Sequence, residues 1–175
     1  MNRRTAIKNV IILGAGATWL ASCQDKKASI TLKNIPLSAS QEELLATLTE
    51  TIIPTTPDFI GAKELESHKF LLMMTDDCSA PDEQKKFMDG MTQFEEACNK
   101  KFGNSFVKCS PSQREEFLLA VEAKEGYAEE VLSFYQTVKR FTIQSFTSSK
   151  EYLTKVRHFS LIPGPFKGCV TVENV

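Results

Sequence analysis

The sequence predicts an all-α domain of about five to six helices, closed by an extended Pro/Gly-rich C-terminal tail. Three observations carry that expectation. Apolar residues recur at helical spacing through every long stretch, Ser-initiated start signals and Gly or Pro stops punctuate those stretches, and no run alternates apolar and polar residues as a half-buried strand does. The 175 residues divide into a signal peptide over 1–22, a tether over 23–39 and one helical domain over 40–175, long enough to bury a real core.

The leader comes first. Arg3, Arg4 and Lys8 precede a short apolar run over residues 10–21, and Leu20-Ala21-Ser22 sets small residues before Cys23, the layout of an export signal. A dozen apolar residues are too few to cross a bilayer core of about 30 Å as a helix. The adjacent arginines with Ile7 and Lys8 resemble a twin-arginine signal, whose route carries folded proteins, and Leu20-Ala21-Ser22-Cys23 resembles a lipobox, in which Cys23 is lipidated. More than one acyl chain on Cys23 would anchor the protein stably without a transmembrane helix. Gly14 and Gly16 mimic the start of a dinucleotide-binding turn, but Trp19 holds the third glycine position and no βαβ pattern follows, so nucleotide binding is discounted.

The polar, lysine-containing stretch from Gln24 to Pro36 reads as a tether. A first helix is expected from a Ser40/Glu43 capping box, with Leu44, Leu45, Leu48 and Ile52 on one face and Pro54 as its stop. The segment after it holds Pro54, Pro57 and Gly61 around Phe59 and Ile60. These two side chains either fold back on the core or anchor a partner. A second helix over residues 63–77 carries Leu65, Phe70, Leu72, Met73 and Met74, the methionines as adaptable core filler. His68 on this helix is read as a structural histidine.

Ser79-Ala80-Pro81-Asp82-Glu83 opens a third helix, with Phe87, Met91, Phe94 and Cys98 as one apolar stripe and Gly103 as the stop. A Ser110/Gln113 capping box with Pro111 opens the fourth, burying Phe117, Leu118 and Val121. The fifth, over residues 127–146, offers Val131, Phe134, Tyr135, Val138, Phe141 and Ile143 to the core. Ser148-Ser149 caps a short sixth helix to about Arg157. The apolar run from Phe159 through Ile162, Pro163 and Phe166 to Cys169 cannot continue as helix and needs a surface to lie on, in this domain or in another subunit.

Composition narrows the function. Lys and Arg number 21 against 22 Asp and Glu; without the leader, 18 basic residues face 22 acidic ones, a net charge of −4. No basic stripe is present to displace counterions from nucleic acid. With Cys23 assigned to lipid, Cys78, Cys98, Cys109 and Cys169 remain, an even set in a chain bound for an oxidising compartment, and disulfides or buried thiols are expected. No CxxC pair and only two histidines argue against a zinc or haem site. The acid doublets Glu42-Glu43, Asp76-Asp77, Glu95-Glu96, Glu115-Glu116 and Glu129-Glu130 are read as solvated helix surface, because neighbours on a helix diverge by about 100° and do not face each other.

Several stretches together resemble the gluconate 2-dehydrogenase subunit 3 family over residues 40–169. They are the twin-arginine leader, Ile53-Pro54-Thr55-Thr56 with Gly61-Ala62-Lys63, His68 ahead of Asp77-Cys78, Phe146-Thr147-Ser148-Ser149, and Pro163-Gly164-Pro165-Phe166-Lys167-Gly168-Cys169. The resemblance implies a non-catalytic small subunit of a membrane-associated dehydrogenase; the chain shows no cofactor motif of its own, and its leader and lipobox set the expectation of a lipid-anchored periplasmic protein. The resemblance also implies a partner: an FAD enzyme of the glucose-methanol-choline class that oxidises a sugar or polyol, with a haem-bearing cytochrome c subunit as a further member. Cys78 and Cys169 belong to the family pattern, so a disulfide between them is implied, whereas Cys98 and Cys109 lie outside it. Phe59, Ile60, Ile162, Pro163 and Phe166 are the candidate partner contacts, with Arg3 and Arg4 for export and Cys23 for lipidation. The alternative expectation is a lipid-anchored helical binding or scaffold protein with no dehydrogenase partner.

Overall fold

The computed structural model describes residues 28–162 together with 164 and 169. Arg3, Arg4, Cys23, Pro163 and Phe166 lie outside the described residues. The expected all-α class is what the chain adopts: α1 (Ala39–Ile52), α2 (Ser67–Cys78), α3 (Pro81–Phe102), a 3-10 turn (Phe106–Lys108), α4 (Pro111–Glu122), α5 (Glu129–Thr147) and α6 (Lys150–Lys155), with no strand among the described residues.

Local chemistry accounts for most boundaries. Pro81 and Pro111 sit in the first turns of α3 and α4, where a missing N–H costs nothing. Ser110 caps α4 reciprocally with Gln113, as the sequence predicts. Gly103 closes α3 at φ 71°, its N–H bonded to Asn99 O at 2.7 Å; a side chain would resist this left-handed geometry. Ser149 caps α6 by accepting the Tyr152 N–H.

Three expectations need correction. The capping box of α1 is Ser38 with Gln41 rather than Ser40 with Glu43. Two Ser-x-x-Gln/Glu patterns lie two residues apart, and the earlier one starts the helix so that Glu42 faces inward. Helix α2 begins at Ser67, four residues later than the periodicity suggests. Residues 62–66 form turns instead, with Ser67 N bonded to Ala62 O at 2.9 Å and Glu66 in the left-handed region at φ 52°. Ile143 of α5 is 43% exposed, because the inward position beside it belongs to Thr142. The Thr142 hydroxyl is satisfied by donating to Val138 O at 2.7 Å, which lets a polar side chain occupy the core face.

Helix α5 is the spine, packing most extensively on α3 and next on α2. Gly90 of α3 sets the closeness of the first contact: a Cβ there would lie 2.8 Å from both Glu130 O and Phe134 Cβ of α5. The core centres on fully buried Phe94, whose ring lies 5.3 Å from Phe106, 5.0 Å from Phe117 and 5.3 Å from Phe134. One side chain thus joins α3 to the 3-10 turn, α4 and α5. The expected stripe of Phe87, Met91, Phe94 and Cys98 is buried throughout.

Part of the stretch expected to be a tether is docked on the helices. Ile35 is 4% exposed, and Ile30, Leu32 and Leu37 pack against the core.

Candidate functional site

Three of the five acid doublets split between solvent and interior, as the 100° step between helical neighbours requires. Glu43, Asp77 and Glu96 are exposed, whereas Glu42 and Asp76 are buried and Glu95 half-buried. Each inward carboxylate accepts backbone N–H groups from an irregular segment that has no helix or sheet to satisfy them.

Asp76 is the strongest of these clamps. Its carboxylate accepts from Lys33 N at 2.8 Å, Asn34 N at 2.8 Å and Ile35 N at 2.9 Å. Its own carbonyl receives Asn34 Nδ2 at 3.0 Å and Gln84 Nε2 at 2.8 Å. Burial alone would raise its pKa, but the three N–H groups more than offset that and hold it below the ordinary carboxyl value. Glu42 accepts from Ser29 N at 2.6 Å and from the Ser29 hydroxyl. Burial pushes it upward, and the Ser29 bonds with His68 and Lys69 nearby bring the net shift below its ordinary value. Glu95 accepts from Phe106 N at 3.3 Å, and burial raises its pKa against that bond. Glu50 adds a fourth clamp, receiving Thr55 N and Lys63 N at 2.9 Å each across the loop between α1 and α2.

His68 lies behind the first clamp. It is 7% exposed, its Nε2 sits 3.7 Å from Glu42 Oε1, and its buried Nδ1 has no hydrogen-bond partner. Burial lowers its pKa despite the opposing pull of Glu42, so the folded imidazole is neutral. Its spacing from Leu71, Leu72 and Thr75, all buried on the same face of α2, is the signal that places it inside.

The shifts of His68, Glu42 and Asp76 share one sign, downward. The unfolded chain takes up a proton on His68 near 6.5 that the folded chain refuses, so stability is full above that pH and declines below it. Unfolded Glu42 and Asp76 protonate near 4.5 and 3.8 while their folded counterparts stay ionised, so a second decline follows as pH falls through that range. Thermal midpoints measured from pH 8 to about pH 3 are expected to fall in two stages. His68→Gln should remove the first stage and leave the second. A midpoint unchanged between about pH 7 and 5 in the wild type would contradict this assignment.

The chemistry of the four carboxylates is therefore structural, since each is engaged by backbone donors. A cleft of about 590 Å³ between α1, α3 and the 3-10 turn has Leu44, Met91 and Val107 in its lining, with Glu95 on its wall. Among the described residues no three His, Cys, Asp or Glu side chains group to hold a metal ion. Nor is any helix among them long and apolar enough to cross a membrane.

Two stretches singled out as partner contacts meet around α6. Phe59 is half-buried: its ring edge packs on Phe146 of α5 at 6.2 Å, Lys155 Nζ lies 5.3 Å from its centroid, and the same ammonium donates to Asp58 O at 3.0 Å. Phe146 in turn stacks near Tyr152 of α6 at 5.5 Å. Phe59 thus folds back on its own domain, and Ile60 beside it is also half-buried. The tail leaves from the same end, with Phe159 N bonded to Leu153 O at 2.9 Å. From there Phe159, Leu161 and Ile162 are 57, 86 and 82% exposed, and Val156 is 44% exposed.

Cys78, the last residue of α2, and Cys169 are exposed free cysteines. Cys98 and Cys109 are the adjacent pair, buried with their sulfurs 3.7 Å apart. Sequence spacing hides this contact; the only signal is that Gly103 turns the chain back between a core-facing Cys98 and the Ser110 cap.

Comparison with curated proteins and with solved structures gave no match. A family model described as gluconate 2-dehydrogenase subunit 3 matches residues 39–164, all six helices and the start of the tail.

Proposed function

Since the chain belongs to the gluconate 2-dehydrogenase subunit 3 family, we propose that it binds a flavin dehydrogenase of the glucose-methanol-choline class, carries it through the twin-arginine route and retains it at the membrane. A cytochrome c subunit completes the complex as electron acceptor. FAD and haem belong to those partners, and this chain contributes surface and address.

The observation that carries the reading is the exposed apolar start of the tail. Leu161 and Ile162 stand out from α6, and large exposed apolar side chains grouped together mark interaction sites. The clamped segment supports membrane retention. From Cys23 to Ser29 is six residues, which span at most about 20 Å fully extended, and beyond Ser29 the backbone is held by Glu42 and Asp76. A lipid on Cys23 therefore keeps the domain, and whatever it binds, against the bilayer surface.

Capture of the full chain from detergent-solubilised membranes tests the partner. The retained material is expected to show flavin absorbance and sugar- or polyol-dependent reduction of an electron acceptor. The double substitution Leu161→Asp with Ile162→Asp should abolish both while leaving helical circular dichroism unchanged. Wild-type chain recovered free of any flavoprotein would favour the alternative of a lipid-anchored scaffold.

A further inference from the structure

We infer that Cys98 and Cys109 are the site of an intramolecular disulfide that staples the end of α3 to the 3-10 turn. Their sulfurs already stand 3.7 Å apart, and a bond of about 2.05 Å requires an approach of less than about 2 Å. No other side chain intervenes between the two sulfurs, and both residues lie on elements fixed by separate contacts. Cys98 belongs to the apolar stripe of α3. Cys109 ends the 3-10 turn, which is held by Phe106 in the core, by Glu95 accepting the Phe106 N–H, and by Arg114 donating to Phe106 O at 3.1 Å and Val107 O at 2.5 Å. The pair is thus positioned by the fold before any bond forms.

The reaction is thiol–disulfide exchange with a disulfide-bearing oxidant. One protein thiolate attacks the oxidant's disulfide and forms a mixed disulfide, releasing one oxidant thiol. The second protein thiolate then displaces the other oxidant thiol. Two thiol hydrogens leave the protein, one S–S bond forms in it, and the oxidant's S–S bond is reduced to two thiols. Order follows from exposure. Cys98 is fully buried, which closes it to a bulky oxidant, and burial pushes its thiol up to about 12. Cys109, 3% exposed at the end of a three-residue turn, is the entry point, and local opening of that turn sets the rate.

The bond would close the loop that contains Gly103 and Phe106 and would fix Ser105, Val107 and Lys108, one wall of the cleft facing Leu44 and Met91. It places no demand on the identity of the partner. In the cell it rests on the proposed export, because cytosolic thiols are kept reduced; with purified protein it stands alone.

The test uses the full chain purified in detergent in the reduced state, then equilibrated with oxidised glutathione and blocked with an alkylating agent. Trypsin leaves Cys98 in a peptide ending at Lys100 and Cys109 in one beginning at that cysteine and ending at Arg114. The expected product joins these two peptides. The oxidised chain should melt about 5–10 °C above the reduced one, the range for closing a loop of this length in a domain of this size. Cys109→Ala should lose that difference, and Cys78→Ala should keep it. Should Cys109→Ala misfold, the peptide linkage in the wild type decides alone. Alkylated, unlinked Cys98 and Cys109 after oxidation, or either one joined to Cys78 or Cys169, would overturn the inference.

Discussion

Phe94→Ala is expected to cost about 3–5 kcal/mol, more than other single truncations in this chain. The side chain is fully buried, and its ring meets three others at 5.0–5.3 Å, one each from the 3-10 turn, α4 and α5. Removal loses the transfer free energy of the ring, leaves a cavity that three separate elements would have to move to fill, and forfeits aromatic contacts worth about 0.5–1.5 kcal/mol each. The partial collapse that softens such losses is blocked here, because Phe106 is tied through its backbone to Glu95 and Arg114. Against a typical domain stability of about 5–15 kcal/mol, the variant should melt about 10–15 °C lower. Phe102→Ala is the contrasting case. Its ring sits 6.3 Å from Phe117 at the edge of the same cluster and is only partly buried, so its loss should be much smaller. Equal costs for the two would show that the core is not centred on Phe94.

That centre was legible from the chain alone. Phe87, Met91, Phe94 and Cys98 follow helical spacing between a Pro81 start and a Gly103 stop, and every level of the pattern agrees. Helix α4 was equally plain, since Ser110, Pro111 and Gln113 all point to one start. The pattern failed where two local solutions competed. Ser38/Gln41 and Ser40/Glu43 both satisfy a capping box, and the choice between them depends on which side chains face Ser29 and His68, neighbours distant in sequence. Ile143 and Thr142 are adjacent, and helical hydrogen bonding of the threonine hydroxyl let the polar residue win the inward position.

The site was less legible than the fold for a related reason. Reading the acid doublets as solvated surface is right for Glu115-Glu116 and Glu129-Glu130, which are exposed, and wrong for Glu42, Asp76 and Glu95. An inward acid is tolerated only when donors meet it, and here the donors are the backbone N–H groups of Ser29, Lys33, Asn34, Ile35 and Phe106. Backbone donors carry no sequence signature. The same blindness hid the 3.7 Å approach of Cys98 and Cys109, which depends on how the loop after Gly103 returns. Phe59 and the tail were recognisable as apolar residues on irregular backbone. Their separation into a ring packed on Phe146 and a segment left exposed required the position of α6.

The proposed sharing of one export signal is expected to give the second large effect. A signal that moves folded proteins allows a partner without its own leader to cross only if the complex forms first, in the cytoplasm. Arg3 and Arg4 would then control two proteins, and the helical domain with its exposed Leu161 and Ile162 would be the coupling between them. Replacing both arginines by lysine in cells that also produce a dehydrogenase lacking an export signal gives the most direct test, with each chain followed by fractionation and the dehydrogenase by its flavin and its activity. Both chains are expected to remain in the cytoplasm, with membrane-bound dehydrogenase activity almost entirely lost while the cytoplasmic pool keeps its flavin. Dehydrogenase that still reaches the membrane while this chain is retained in the cytoplasm would contradict the role of carrier.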